Sequence, residues 1–253
     1  MKQIVFAVAM MALVASCANI KFRVGDKAVA EEQRELTGFE RIEQFGSLDV
    51  RYRQGDTFSV RVEAPKDVVK DVETIVRGNC LVVRMKGEGS VVNFGIADSD
   101  GVTVYVTSPD FLGIELRGSG DFVCEGLLDT DNLDIWLKGS GDITFNDVIC
   151  DRANIQQVGS GDVKVRQLTA QQTDVELVGS GDMEVTQRQV AQTRIELKGS
   201  GDIKMNCRQC GSVISRLIGS GDITLNGDVA SLGSSTRGSG DINTDGLTVG
   251  QKQ

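Results

Sequence analysis

Histidine is absent from these 253 residues. Its absence excludes Ser-His-Asp and Cys-His catalysis and histidine-based metal catalysis, while carboxylate chemistry remains open. Aromatic residues are scarce at 5%, with a single tryptophan, so the stacking platforms of single-strand nucleic-acid binders are missing. Positive charge is in deficit as well: 27 Lys and Arg face 36 Asp and Glu, a net −9. That balance leaves no basic footprint for nucleic acid and predicts repulsion from anionic surfaces. The apolar run Ile4 to Val14 is too short to span a bilayer. Only two prolines stand beside 30 glycines, which suits a turn-dense β array.

What the chain does contain is Gly-Ser-Gly-Asp, seven times, starting at Gly118, Gly139, Gly159, Gly179, Gly199, Gly219 and Gly238. Successive starts are 21, 20, 20, 20, 20 and 19 residues apart, the period of stacked solenoid coils. Two and four residues before the first Gly, apolar pairs recur, as in Ile114 and Leu116 or Ile135 and Leu137, with Glu115 and Trp136 between them. After the corner the apolar positions continue through Phe122, Ile143, Val163, Met183, Ile203 and Ile223, and again two residues later. Alternation on both sides of the tetrapeptide predicts two short strands, each with one buried face, joined at a glycine corner. A third column, Asp129, Cys150, Ala170, Val190, Cys210, Ala230 and Val249, predicts a narrower third wall. Gln157 breaks the leucine column as an inward polar residue, and Ser234 with Thr236 reads as a terminal cap.

Stacking places Asp121, Asp142, Asp162, Asp182, Asp202, Asp222 and Asp241 in a ladder along one edge. Carboxylates about 4.8 Å apart repel by roughly 1 kcal/mol in water and about 3.5 at an effective dielectric of 20, so something must offset the ladder. Three readings stand. Each Asp bonds Gly and Ser N–H groups of its own or the adjacent corner; cations such as Ca²⁺ sit between coils; or a carboxylate pair acts as acid and base on a polysaccharide. The nine-residue pattern of Ca²⁺-binding β-rolls is absent, and identical copies fit poorly with acid and base roles that need different environments. Trp136 should project outward, where it would stack on a sugar or dock a partner. Val158, Val178 and Ile218, each just before a Gly, offer a modest apolar stripe that would equally serve self-association.

Residues 1–16 read as a secretion signal: Lys2, the apolar run, then Ala15 and Ser16 ahead of Cys17. Val14-Ala15-Ser16-Cys17 resembles a bacterial lipobox, which implies diacylation of Cys17 and a lipid anchor, with the outer membrane favoured because Ala18 replaces the retention-type Asp. Residues 17–35 read as lipidated Cys and tether. Residues 36–110 read as a β-rich segment that caps the solenoid, with a short helix after Pro65 carrying Val68, Val69, Val72 and Val76. Residues 111–250 are the repeat array. Without Cys17 the cysteines are Cys80, Cys124, Cys150, Cys207 and Cys210, an odd number. Cys124, Cys150 and Cys210 fall in core columns and read as buried free thiols; Cys207-Arg208-Gln209-Cys210 is a local disulfide or a redox pair, the latter disfavoured inside a β repeat.

Thr37-Gly38-Phe39-Glu40-Arg41-Ile42, Leu48-Asp49-Val50, Gln54-Gly55-Asp56, the strand into Ser108-Pro109 and the repeated corner resemble the bacterial auto-transporter adhesin head GIN domain family, from Leu36 to Thr248. The resemblance implies an exported all-β, β-helix-like domain, often on lipoproteins, with no catalytic residues to carry over. The expectation is an all-β, single-stranded, right-handed β-helix of about 20-residue coils. It is a non-catalytic, lipid-anchored outer-membrane module, without cofactor and with no nucleic-acid partner, that binds a glycan or envelope protein, homo-oligomerisation remaining open. A carbohydrate-active enzyme and a structural envelope spacer are the alternatives.

Overall fold

The computed structural model describes residues 29–87 and 101–250. The secretion signal, Cys17 and the first part of the expected tether lie outside the described residues. Ahead of the array come β1 (Val29–Arg34), β2 (Arg41–Gly46), β3 (Asp49–Gln54), β4 (Ser59–Pro65), β5 (Val72–Arg77), β6 (Cys80–Met85) and β7 (Thr103–Ser108). The array then runs β8 (Gly113–Gly118), β9 (Phe122–Asp129), β10 (Asn132–Gly139), β11 (Ile143–Ile149), β12 (Arg152–Gly159), β13 (Val163–Thr169) and β14 (Gln172–Gly179). It finishes with β15 (Met183–Arg188), β16 (Gln192–Gly199), β17 (Ile203–Gly219), β18 (Ile223–Gly238), β19 (Ile242–Asn243) and β20 (Leu247–Val249).

Each coil is two strands joined by the glycine corner, and like strands stack in parallel. One wall is β6, β2, β8, β10, β12, β14, β16 and the later halves of β17 and β18. The other is β7, β3, β9, β11, β13, β15, the earlier halves of β17 and β18, then β19 and β20. The expected apolar columns fill the space between: Ile135, Leu137, Ile143 and Phe145 are at most 1% exposed. The third column is a second corner rather than a wall. Cys150, Ala170, Val190 and Cys210 are buried there, while Asp129, Ala230 and Val249 at the two ends are exposed. An inward column the alternation did not reveal precedes that corner: Leu128, Val148, Leu168, Gln187 and Cys207. Its place in the coil shifts at irregularities in the ladder, which breaks the period-2 signal.

The corner has an eighth, unexpected member, Gly46-Ser47-Leu48-Asp49. Ser119 and Gly120 N–H groups both donate to the Gly46 carbonyl, as Ser140 and Gly141 do to Gly118 and so on up the stack. Both glycines of the Gly-Ser-Gly-Asp motif are sterically required, since a Cβ on either would run into the coil below, and the first also takes a positive φ. In the seven Gly-Ser-Gly-Asp copies the first has φ between +136° and +154°. The second sits so close to the coil below that a Cβ on Gly161 would lie 2.0 Å from the Gly141 carbonyl oxygen.

At the N-terminal end the chain doubles back. It lays down β2 and β3, then builds β6 and β7 on one side of that coil and β8 and β9 on the other. Antiparallel strands cover the outermost edges: β5 on β6, β4 on β7, and β1 on β4. Phe39, Tyr52, Phe111, Phe122 and Phe145 fill the interior here, with Tyr52 stacked on Phe111 at 4.1 Å.

Two further expectations are corrected. The tether ends earlier, because residues 29–34 pair with β4; an outermost strand needs only backbone partners, so its polar sequence, VAEEQR, carries little pattern. The short helix is a single 3-10 turn, Val69–Asp71, and Val72 and Val76 belong to β5. β-branched residues favour the pleated strand, and the β6 edge supplies a partner.

Candidate functional site

The aspartate ladder is occupied by backbone, with a donor different from the expected Gly and Ser. Each Asp N–H donates to the Oδ1 of the Asp one coil below: Asp121 to Asp49 at 2.9 Å, Asp142 to Asp121 at 3.0 Å, and so on to Asp241 on Asp222 at 2.9 Å. The Asp carbonyls accept as well, for example from Phe122 N–H to Asp142 at 2.8 Å. These carboxylates are therefore structural acceptors that close the corner. Asp142 keeps a raised pKa, from burial first and from the negative charges of Asp121 and Asp162, against the lowering effect of its bond from Asp162 N–H. Among the described residues no cluster of three or more metal-ligating side chains occurs.

Gln157 shows a related device from inside. Its Nε2 donates to the Gly161 carbonyl, as Gln44 Nε2 does to the Leu48 carbonyl at 2.7 Å, the same offset of four residues in two different corners. In both, the side-chain Oε1 is buried without a hydrogen-bond partner.

Among the described residues five thiols are free. Burial pushes Cys124 and Cys150 up to about 12. Cys207 and Cys210 interact with one another: that interaction and burial hold the Cys207 thiol well above the usual thiol range, while its partner Cys210 is lowered by the same interaction. Burial of both sulfurs beneath the second corner keeps them from solvent.

Trp136 lies half-exposed on the outer face of the first wall, beside Glu115 and Gln156 on neighbouring strands. It forms one side of an open groove of about 390 Å³ whose other residues include Arg41, Glu43, Asn79, Asp134 and Asn154. The floor is low because Gly113 stands between Arg41 and Asp134 in register, with no side chain to fill the gap. Across it Arg41 Nη2 meets Asp134 Oδ2 at 2.7 Å. Asn154 Nδ2 and Gln156 Nε2 extend the polar row at 3.5 and 3.4 Å. The Arg117 guanidinium lies 5.2 Å from the Trp136 ring centre, a cation–π contact that orients the indole. Cys80 lines the groove as well, its thiol raised to about 12 by burial and then by Glu43.

Sequence reasoning singled out Trp136 but not this surrounding. Arg41 and Glu43 on β2, Cys80 at the start of β6 and Asn79 just before it come from segments that the repeat does not index, and only the parallel pairing of β6 with β2 and of β2 with β8 brings them toward Asp134 and Trp136. The apolar stripe does not form a continuous surface, because Lys198 stands between Val178 and Ile218 and bonds Glu176 and Glu196.

A family model described as "Putative auto-transporter adhesin, head GIN domain" matches residues 38–156 and 187–252. Among solved structures, one described as a putative adhesin from Bacteroides fragilis shares 27% identity, covering 86% of this chain and 97% of its own, with a TM-score of 0.75. A protein described as a putative lipid binding protein from Parabacteroides distasonis has 20% identity, covers 87% of this chain and 97% of its own, and gives 0.67. A putative adhesin from Parabacteroides merdae, at 17% identity and covering 87% and 97%, gives 0.68. The last two speak for the fold alone. No curated protein matches the sequence.

Proposed function

Because the chain belongs to the auto-transporter adhesin head GIN domain family, we propose that it is an exported, non-catalytic adhesion module, held at the outer membrane by lipid on Cys17, that binds a glycan in the Trp136 groove. The observation that carries this reading is the pairing of the chain's one tryptophan with a fixed polar rim. A half-exposed indole offers a flat apolar face to the C–H side of a pyranose. Arg41, Asp134, Asn154 and Gln156, already tied to one another, present donors and acceptors to hydroxyls with little ordering cost. Glu43 and Glu115 stand on adjacent strands of the same groove and add acceptors.

The full chain is screened against a broad glycan array, and its Trp136→Ala variant alongside it. Reproducible binding that falls by about tenfold or more in the variant is expected, since loss of an aromatic anchor at the centre of a site costs 2 kcal/mol or so. A blank array from folded protein, or hits indifferent to Trp136, would defeat the glycan reading and favour a structural spacer. The lipid on Cys17 is checked separately by mass spectrometry of protein purified from bacterial membranes.

A further inference from the structure

The chain carries a net −9, yet three consecutive strands of the second wall have the opposite sign. β13, β15 and residues 203–208 of β17 hold Lys164, Arg166, Arg188, Lys204 and Arg208 against one carboxylate, Glu184. The register sorts them into two rows. Lys164, Glu184 and Lys204 lie side by side, and Arg188 lies beside Arg208. Glu184 is paired with Lys164. Among the described residues, Arg166, Arg188, Lys204 and Arg208 have no carboxylate within ion-pair distance. The three arginines line one hollow of about 290 Å³, with Thr169 and Thr186 between them. The local field is felt by Glu184, whose carboxyl is lowered by its bond to Lys164 and further by Lys204 and Arg166.

Unpaired guanidinium groups converging on one hollow are matched by oxyanions, which they grip with two parallel N–H bonds. We propose that this face is a second binding site, for the sulfate or carboxylate groups of a linear anionic glycan, on the wall opposite the Trp136 groove. Its shape favours a polymer strand over other polyanions. The patch spans three strands, about 10 Å along the stack. Asp162, Asp182 and Asp202 border it beside Lys164 and Lys204. A planar anionic bilayer pressed onto it would bring those carboxylates against its phosphates well inside a Debye length of about 8 Å. No aromatic side chain lines either hollow on this face, so nucleobases find no surface to stack on. The hydroxyls of Thr169 and Thr186 suit the neutral groups of a sugar chain.

Isothermal titration of the full chain with dextran sulfate tests the site, with dextran of equal length, phosphatidylglycerol vesicles and a single-stranded oligonucleotide as the other arms. Dextran sulfate is expected to bind and dextran not to. The Arg166→Gln, Arg188→Gln, Arg208→Gln triple variant should lose about tenfold or more in affinity, because each lost charge-assisted bond alone supports several-fold. A charge-matched control, Arg77→Gln, Arg152→Gln, Arg237→Gln, should change it by less than about threefold. All six side chains are exposed, so both triples should melt as the parent does. Equal losses in the two triples, or no binding of dextran sulfate, would overturn the site. Vesicles or oligonucleotide binding as tightly as dextran sulfate would overturn the assignment to a glycan.

Discussion

Neutralising one rung of the aspartate ladder should stabilise the protein, though it removes a bonded carboxylate. Asp142 lies between Asp121 and Asp162; its Oδ1 accepts from Asp162 N–H at 3.0 Å and its own N–H donates to Asp121 at 3.0 Å. Neighbouring carboxylates at the coil spacing of about 4.8 Å each cost about 0.9 kcal/mol in water, about 1.7 for the two. Asp142→Asn removes that repulsion and keeps an Oδ1 acceptor, forfeiting only charge assistance of about 0.5–1 kcal/mol. The net expectation is a gain of about 1 kcal/mol at pH 7. Asp142→Ala loses the acceptor altogether and should fall about 1 kcal/mol below the Asn variant. The pH dependence follows from the raised pKa of Asp142, caused first by burial and then by its acidic neighbours. A group raised in the folded state contributes stability that is full below its unfolded value, about 3.9 for Asp, and is lost as pH rises through the folded value. The ionised form is thus a cost at neutral pH, and the advantage of Asn should shrink toward nothing at pH 3. Urea unfolding followed by Trp136 fluorescence at both pH values measures this. An Asn variant less stable than the parent at pH 7, or equal to Ala, would refute the balance drawn here.

Gly161→Ala should cost about 3 kcal/mol or more or prevent folding, because its Cβ would sit 2.0 Å from a backbone oxygen that has nowhere to move. Gly233→Ala, with no atom within 4 Å and an ordinary backbone angle, should lie within about 0.5 kcal/mol of the parent; thermal melts of the pair check the contrast, and similar melting points would refute close coil stacking as the reason for the second glycine. Gln157→Leu should raise stability by about 1 kcal/mol, since it removes a buried Oε1 without a partner and restores the leucine of the coils on either side. A lower urea midpoint would instead show that the bond to the Gly161 carbonyl outweighs that cost.

The sequence alone determined the coil. Its period, the inward apolar columns at Ile135, Leu137, Ile143 and Phe145, the glycine corner and the outward Trp136 were all legible, because each coil packs against a near copy of itself. In such a stack a local pattern repeated in register is also the tertiary pattern. What the repeat does not index was decided by the tertiary structure. Gly46-Ser47-Leu48-Asp49 becomes an eighth corner only because β2 docks between β6 and β8, and nothing in its own residues distinguishes it from a surface turn. Residues 29–34 become a strand because an open edge waits on β4, and Val72 to Arg77 choose strand over helix because β6 offers its N–H and C=O groups. The Arg41–Asp134 pair and the groove beside Trp136 join residues 93 apart in the chain. The basic face is partly of this kind: Arg188 and Arg208 pair in a regular ladder one repeat apart, but an irregularity between β13 and β15 at Val165/Leu168 lies beside Arg166, which lines the same hollow. Contacts of this kind depend on backbone pairing and strand order, which side-chain periodicity does not encode.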